Sequence, residues 1–294
     1  AEKTPGYAPL MAVAEDGNGE VHAHLLALIC RHGRLFPPYL YTHGRVYGEG
    51  EYAPGEDREL LFSMMLKAVT QKFNHKLCLY IEFSDISNKM FAYRHFRQNG
   101  YFPIPWQEIH NSLHSLPPEK RISEKALSKI ETAEKHGVYT REAESEEELG
   151  AFYKLLRSYF RFKTRRSIPH RKMFSMLNSE GDSKTFVTIY KNKIIGGCVC
   201  LYSGKNAYMW YLASKRKTYI HLSPASITVW AAIKYAYTHG YEHICFLDAG
   251  LPFRNNPFRE FILSFGGKPV SKYRWFRLPV PYINRFLSWC YNDK

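Results

Sequence analysis

The chain of 294 residues has no stretch of about 18 consecutive apolar residues, which excludes a spanning helix read from sequence. It also has no signal-like start, and it opens at Ala1 rather than Met, as expected if upstream residues have been removed. Cysteine is sparse. Cys30, Cys78, Cys198, Cys200, Cys245 and Cys290 form no C-x-x-C pair. Cys78, Cys198, Cys200 and Cys245 sit inside apolar, strand-like runs, so buried reduced thiols in a cytoplasmic protein are expected. The 13 histidines are dispersed along the chain, and no structural zinc or other metal is expected.

Acidic residues are scarce in one half only. Residues 151–294 hold 24 Lys and Arg against 6 Asp and Glu, whereas residues 1–150 hold 17 against 21. The net charge of +14 therefore belongs to the second half, which points to an anionic ligand there: nucleic acid, a phosphorylated cofactor or a lipid head group. A basic soluble surface is the alternative reading of composition alone. With 45% hydrophobic and 16% aromatic residues the chain buries real cores, and its length predicts two domains.

The order of elements repeats. "RELLFSMMLKAVTQKF" (58–73) is spaced as one helix face, followed by the short strand "KLCLYIEF" and a short helix ended by Gly100 before another strand. In the second half "SPASITVWAAIKYAYTHG" predicts a helix with Ser223 as N-cap, Pro224 at the first helical position and Gly240 at the stop. The strand "HICFLDA" follows, then a short helix ending at Gly266-Gly267 and a strand through "YRWFRL". Strand candidates precede each long helix, and residues 1–20 and 48–59 read as loops. The pattern is α/β (α+β), with two copies of one unit. Boundaries fall at 1–118, a charged connecting helix at 119–136, and 137–294. The tail "LPVPYINRFLSWCY" reads as a strand and short helix packed on the second domain, with an interfacial anchor as the other reading.

Three groups of residues suggest chemistry. Lys215, Arg216 and Lys217 lead into the helix start at Ser223, where unpartnered N–H groups and the helix dipole favour an anion. A solvated basic turn is the plain alternative. "RSYFRFKTRRSIPHRK" (157–172) interleaves Arg165, Arg166 and other cations with aromatics, which suits RNA, a nucleotide-linked acceptor or a lipid-linked one. It equally suits an amphipathic helix. Asp248 ends a buried strand, placed to orient an amine or take its proton, or simply to cap the turn or pair with an arginine such as Arg254. Trp210 and Tyr211 read as core aromatics, or Tyr211 as a donor to an oxyanion.

These segments in this order resemble the GNAT acyltransferase fold. In tandem they resemble the Fem-type peptidoglycan interpeptide-bridge aminoacyltransferases of bacteria and their acetyltransferase-like relatives. The resemblance rests on "KALSKIETAEKHGV", "FYKLLRSYFRFKTRRSIPHRKMFSML", "SPASITVWAAIKYAYTHGYEHICFLDAG" and "FREFILSFGGKPV", and is best over 119–277. It implies two GNAT-like domains, each a mixed, mostly antiparallel sheet flanked by helices. It further implies transfer of an acyl group from acyl-CoA or aminoacyl-tRNA to an amine of a cell-envelope or peptidoglycan-type acceptor, lipid-linked acceptors and peripheral membrane contact included.

On this reading Lys215, Arg216, Lys217 and Ser223 hold the donor phosphates. Asp248 and Tyr211 are catalytic, and Arg165, Arg166, Arg254, Arg259 and Trp210 bind substrate. The sequence departs from the pattern twice. "SKRKTYIHLS" replaces the Gly-rich phosphate loop, and Ile262 stands where the Fem-like pattern has a lysine, for which Arg259 is the candidate substitute. A degenerate, non-catalytic GNAT-like protein that binds RNA or another anion through its basic half is the competing reading.

Overall fold

Asp16 starts the folding pattern by turning the chain, its carboxylate accepting the backbone N–H groups of Asn18 and Glu20 at 2.9 Å each. That turn joins β1 (Tyr7–Glu15) to β2 (Val21–Arg34), so much of the segment read as a loop is a strand. Pro9 is tolerated within it because β1 is an edge strand, paired on β2 alone, where a missing N–H costs no ladder bond. The computed structural model describes residues 4–34, 39–160 and 168–292. The chain forms two units: Ala1–Trp106 with Ser271–Lys294, and Gln107–Val270.

In the first unit β3 (Tyr39–Tyr47) pairs antiparallel with β2, and the short β4 (Glu51–Tyr52) also joins β2. Then α1 (Arg58–His75) crosses to β5 (Ile81–Ser84), which is parallel to β3. α2 (Tyr93–Gln98) and β6 (Phe102–Ser112) follow. The core is aromatic, with Phe62, Phe73, Phe83, Phe96 and Trp275 all buried and Phe96 stacked on Trp275 at 4.5 Å.

The second unit begins with α3 (Glu124–Lys135), capped by Ser123, then β7 (Tyr139–Glu142), α4 (Glu146–Phe160) and α5 (Arg171–Ser179). The α3 segment read as a connector buries Ala126, Ile130 and Ala133 in this unit, while Lys125, Lys129, Glu131 and Lys135 face solvent. A meander of β8 (Ser183–Tyr190), β9 (Lys193–Ser203) and β10 (Asn206–Ser214) leads into α6 (Pro224–Thr238). Next come β11 (His243–Gly250), parallel to β10, and α7 (Pro257–Leu263), after which β12 (Lys268–Arg277) and α8 (Pro281–Asn292) return the chain to the first unit.

Both units thus run antiparallel meander, crossover helix, parallel strand, short helix, last strand. The duplication carries an exchange. Residues 109–112 of β6 pair with β11 of the second unit, and Trp275–Arg277 of β12 pair with Ile81–Phe83 of the first. This pairing is why residues 271–294 belong to the first unit, against the sequence boundary of 137–294 and the packing expected for the tail. Helical periodicity locates elements, but only strand pairing decides which sheet a last strand completes.

Candidate functional site

The candidate site lies in the second unit, where two parallel strands separate. β10 and β11 pair only from Asn206 with His243 to Met209 with Phe246. Beyond that, β10 continues along β9 to Ser214, while β11 continues to Gly250 beside Gln107 of β6. An opening therefore lies between Trp210–Ser214 and Leu247–Gly250, at the carboxyl ends of parallel strands, where α/β sheets seat ligands.

A bulge in β10 between Met209 and Tyr211 reorients its side chains. Ala207 and Met209 pack in the cluster with α6, whereas Tyr211 and Ala213 pack in the cluster of Phe152, Leu156 and Phe174 from α4 and α5. Tyr211 is 3% exposed with its ring 5.7 Å from Phe174, so it is a core aromatic. Trp210 lies half-buried against the same phenylalanine at 5.4 Å.

The start of α6 faces a cationic turn. Gly196 of β9 lets the helix sit close: a Cβ there would lie 3.1 Å from Thr228 Oγ1 and 3.5 Å from Pro224 Cβ. Gly197 fits the other face, where a Cβ would fall 2.5 Å from the Phe186 carbonyl oxygen and 2.7 Å from the Phe152 ring. Lys215, Arg216 and Lys217 are exposed, and the backbone N–H of Lys215 donates to the Ile195 carbonyl at 2.8 Å. The Tyr190 and Tyr219 rings meet at 6.0 Å, bringing the β8–β9 hairpin with Lys191 and Lys193 toward this turn. Those two lysines were not singled out from sequence, because the tyrosine contact that recruits them spans distant segments.

Ser223 occupies the N-cap position but does not cap. Its backbone is left-handed (φ 42, ψ 50), and its side chain makes no capping hydrogen bond. Ser223 thus holds a backbone conformation that glycine favours. The equivalent helix of the first unit differs: Asp57 caps α1, its carboxylate accepting the Leu60 N–H at 3.1 Å. A negative group already fills that helix start. At α6 no side chain among the described residues does.

Asp248 lies half-buried on the last part of β11, inside the stretch where pairing to β6 shifts register. Asn256 Nδ2 donates to the Ala249 carbonyl at 2.7 Å and lies where a Cβ on Gly250 would come within 2.6 Å. Gly250 has φ 81, so both its conformation and its surroundings require glycine. Arg259 holds the next loop: Nη1 donates to Gln107 Oε1 at 2.8 Å and to the Leu251 carbonyl at 3.1 Å, and Nη2 to the Arg254 carbonyl at 2.9 Å. With these donors committed to the protein, Arg259 serves as a positioning group. The Arg254 side chain is exposed. Ile262 is fully buried beside Phe265, so an unpartnered lysine ammonium there would be costly, and isoleucine serves the core. Arg165 and Arg166 lie outside the described residues.

Two features fall elsewhere in this unit. Ligand-capable atoms of His114, Glu242 and His243 lie within 4.8 Å of one another, although Lys205 already pairs with Glu242. His114 lies far in sequence from Glu242 and His243, so no local spacing signals this cluster. A cleft beside β7 and α4 contains Arg141, whose guanidinium is held by Glu148 at 2.7 Å. The hydrogen bond from Arg141 keeps the Glu148 carboxyl below its ordinary range.

Residues 120–255, a little under half of the chain, match the family described as acetyltransferase (GNAT) domain. Solved structures extend the likeness over nearly the whole chain. FemX is similar with a TM-score of 0.64 at 13% identity, covering 96% of this chain and 91% of that one. L-PGS from Bacillus licheniformis gives 0.62 at 13%, covering 96% and 89%. A tandem GNAT protein from the clavulanic acid biosynthesis pathway gives 0.63 at 12%, covering 95% and 85%. At these identities the likeness is one of fold, and the tandem neighbour agrees with the duplicated architecture. No curated protein matches the chain.

Proposed function

We propose that the second unit transfers an acyl or aminoacyl group from a phosphate-bearing donor, acyl-CoA or aminoacyl-tRNA, to the amine of a cell-envelope acceptor of the peptidoglycan or lipid-linked kind. One observation carries this reading: the opening between β10 and β11 adjoins a helix start that no side chain among the described residues caps and that exposed cations flank. Donor phosphates seated there place the activated carbonyl along the opening, toward Asp248. The acceptor amine attacks that carbonyl, backbone donors of β10 stabilise the oxyanion, and Asp248 orients the amine or takes its proton. The carbon–nitrogen bond forms as the thiolate of CoA or the ribose oxygen of tRNA departs, and the leaving group acquires a proton.

The test replaces Lys215, Arg216 and Lys217 together by Ala and measures donor affinity. Exposed ion pairs contribute about 0.5–1 kcal/mol each, so the loss is about 10- to 100-fold. CoA, uncharged tRNA and charged tRNA are titrated separately, because they distinguish the two donors. Unchanged affinity for all of them overturns the seat. The second reading, an RNA- or anion-binding protein without chemistry, draws on Ile262. Tight tRNA binding with no turnover of charged tRNA or of acyl-CoA, tested against an amine acceptor, favours it.

A further inference from the structure

The helix α8 is arranged against expectation for a water-facing element. Its inner face carries polar groups: Asn284 Nδ2 donates to the Gly100 carbonyl at 2.8 Å, Asn284 Oδ1 accepts the Leu278 N–H at 2.8 Å, and Ser288 pairs with Arg97 at 3.3 Å. Tyr291 adds a stack on Phe102 at 6.2 Å. The outer face is apolar: Tyr282, Ile283, Phe286 and Trp289 are 85%, 49%, 59% and 63% exposed. At 100° per residue these four lie within an arc of about 120°, with Arg285 on its flank.

The patch extends past the helix. Arg277 donates from Nη1 to Asn74 Oδ1 at 2.8 Å and from Nε to the Asn99 carbonyl at 3.0 Å, tying the base of α8 to the turn after α1. That turn exposes Leu77 at 85% and Leu79 at 54%. The charge around these groups has one sign. Residues 60–81, 86–106 and 271–292 contain no Asp or Glu, while Lys72, Lys76, Arg94 and Arg285 are exposed.

We propose that this face of the first unit docks on an anionic phospholipid bilayer. The aromatic side chains of α8 enter the head-group region, and the surrounding lysines and arginines meet lipid phosphates. The chemistry selects this partner. Trp, Tyr and Phe with a basic rim match the interfacial zone, and the segments 60–81, 86–106 and 271–292 carry cations without carboxylates. No described helix is long and apolar enough to cross a membrane, so the contact is peripheral. The inference is independent of the donor seat: it concerns different residues and survives failure of that reading.

The full chain is sedimented with vesicles of phosphatidylglycerol and phosphatidylcholine, and separately with phosphatidylcholine alone. Binding is expected only to the anionic vesicles, weakening with salt. Phe286→Ser combined with Trp289→Ser is expected to lower it at least tenfold, and Arg285→Glu to lower it less. Because the substituted side chains are exposed, melting temperature checks that the fold is kept, and donor affinity stays unchanged. Failure of the wild type to bind anionic vesicles overturns the proposal. So does equal binding by the double variant, or a concentration-dependent dimer that the double variant abolishes in place of vesicle binding.

Discussion

Lowering the pH is expected to destabilise the first unit through His43. This imidazole is 2% exposed, stacked between His32 at 4.8 Å and Tyr80 at 4.7 Å, with no hydrogen-bond partner at Nδ1. Burial first, then the neighbouring His32 and Arg45, push its pKa down to about 3. The folded ring stays neutral while the unfolded one protonates near pH 6.5, so the unfolded chain binds the extra proton. The contribution of His43 is therefore fully present above about pH 6.5 and is lost progressively as the pH falls toward about 3. Between about pH 7.5 and about pH 5 the loss is about 2 kcal/mol, at about 1.4 kcal/mol per pH unit below the unfolded value. His32, lowered chiefly by burial, adds in the same direction. The assay is denaturant unfolding of the wild type and His43→Phe at both pH values. The variant keeps the stack but cannot titrate, so its loss on acidification is smaller by about 2 kcal/mol. Equal pH dependence in the two proteins would refute the reasoning.

Other perturbations test the site and its support. Gly197→Ala places a Cβ against the Phe186 backbone and Phe152 in a strand paired on both sides, so it costs about 2–4 kcal/mol, read as a lower melting temperature. Asp248→Asn keeps the shape of the strand end but cannot take a proton. On the proposed mechanism it lowers turnover at least 100-fold while leaving donor affinity within about twofold, and unchanged turnover removes Asp248 from the chemistry. Thiol titration of the native protein modifies one cysteine quickly, the half-buried Cys290, because the other five are buried. Burial raises the Cys30 thiol to about 12, and all six react in denaturant.

The helices were legible because their apolar spacing and end signals act locally: α1 and α6 start within a residue of their sequence positions and stop near the residues that end them. The duplication was legible for the same reason, since the order of elements survives without side-chain detail. Strand partnership was not. β12 carries the same apolar pattern whether it completes one sheet or the other, and only the pairing of Trp275 with Phe83 assigns it.

The cationic turn at 215–217 stood out as a run, yet the contrast that gives it meaning required the geometry of two caps: Asp57 accepts a hydrogen bond from its helix, and Ser223 does not. Arg259 looked like a ligand-binding cation because sequence shows charge but not the carbonyl oxygens of Leu251 and Arg254 that consume it. The aromatics of α8 were visible as residues. Their outward orientation was not, because a 12-residue amphipathic pattern does not say which face meets the protein.

The proposed transfer rests on an anionic donor seated where α6 begins. A crystal structure of the protein with CoA, and a second with a charged tRNA acceptor-stem analogue, tests this directly. Phosphate density is expected beside Ser223 and Pro224, within reach of Lys215–Lys217, with the acyl end pointing between β10 and β11 toward Asp248. Ordered donor bound elsewhere, with that helix start left to solvent, would contradict it.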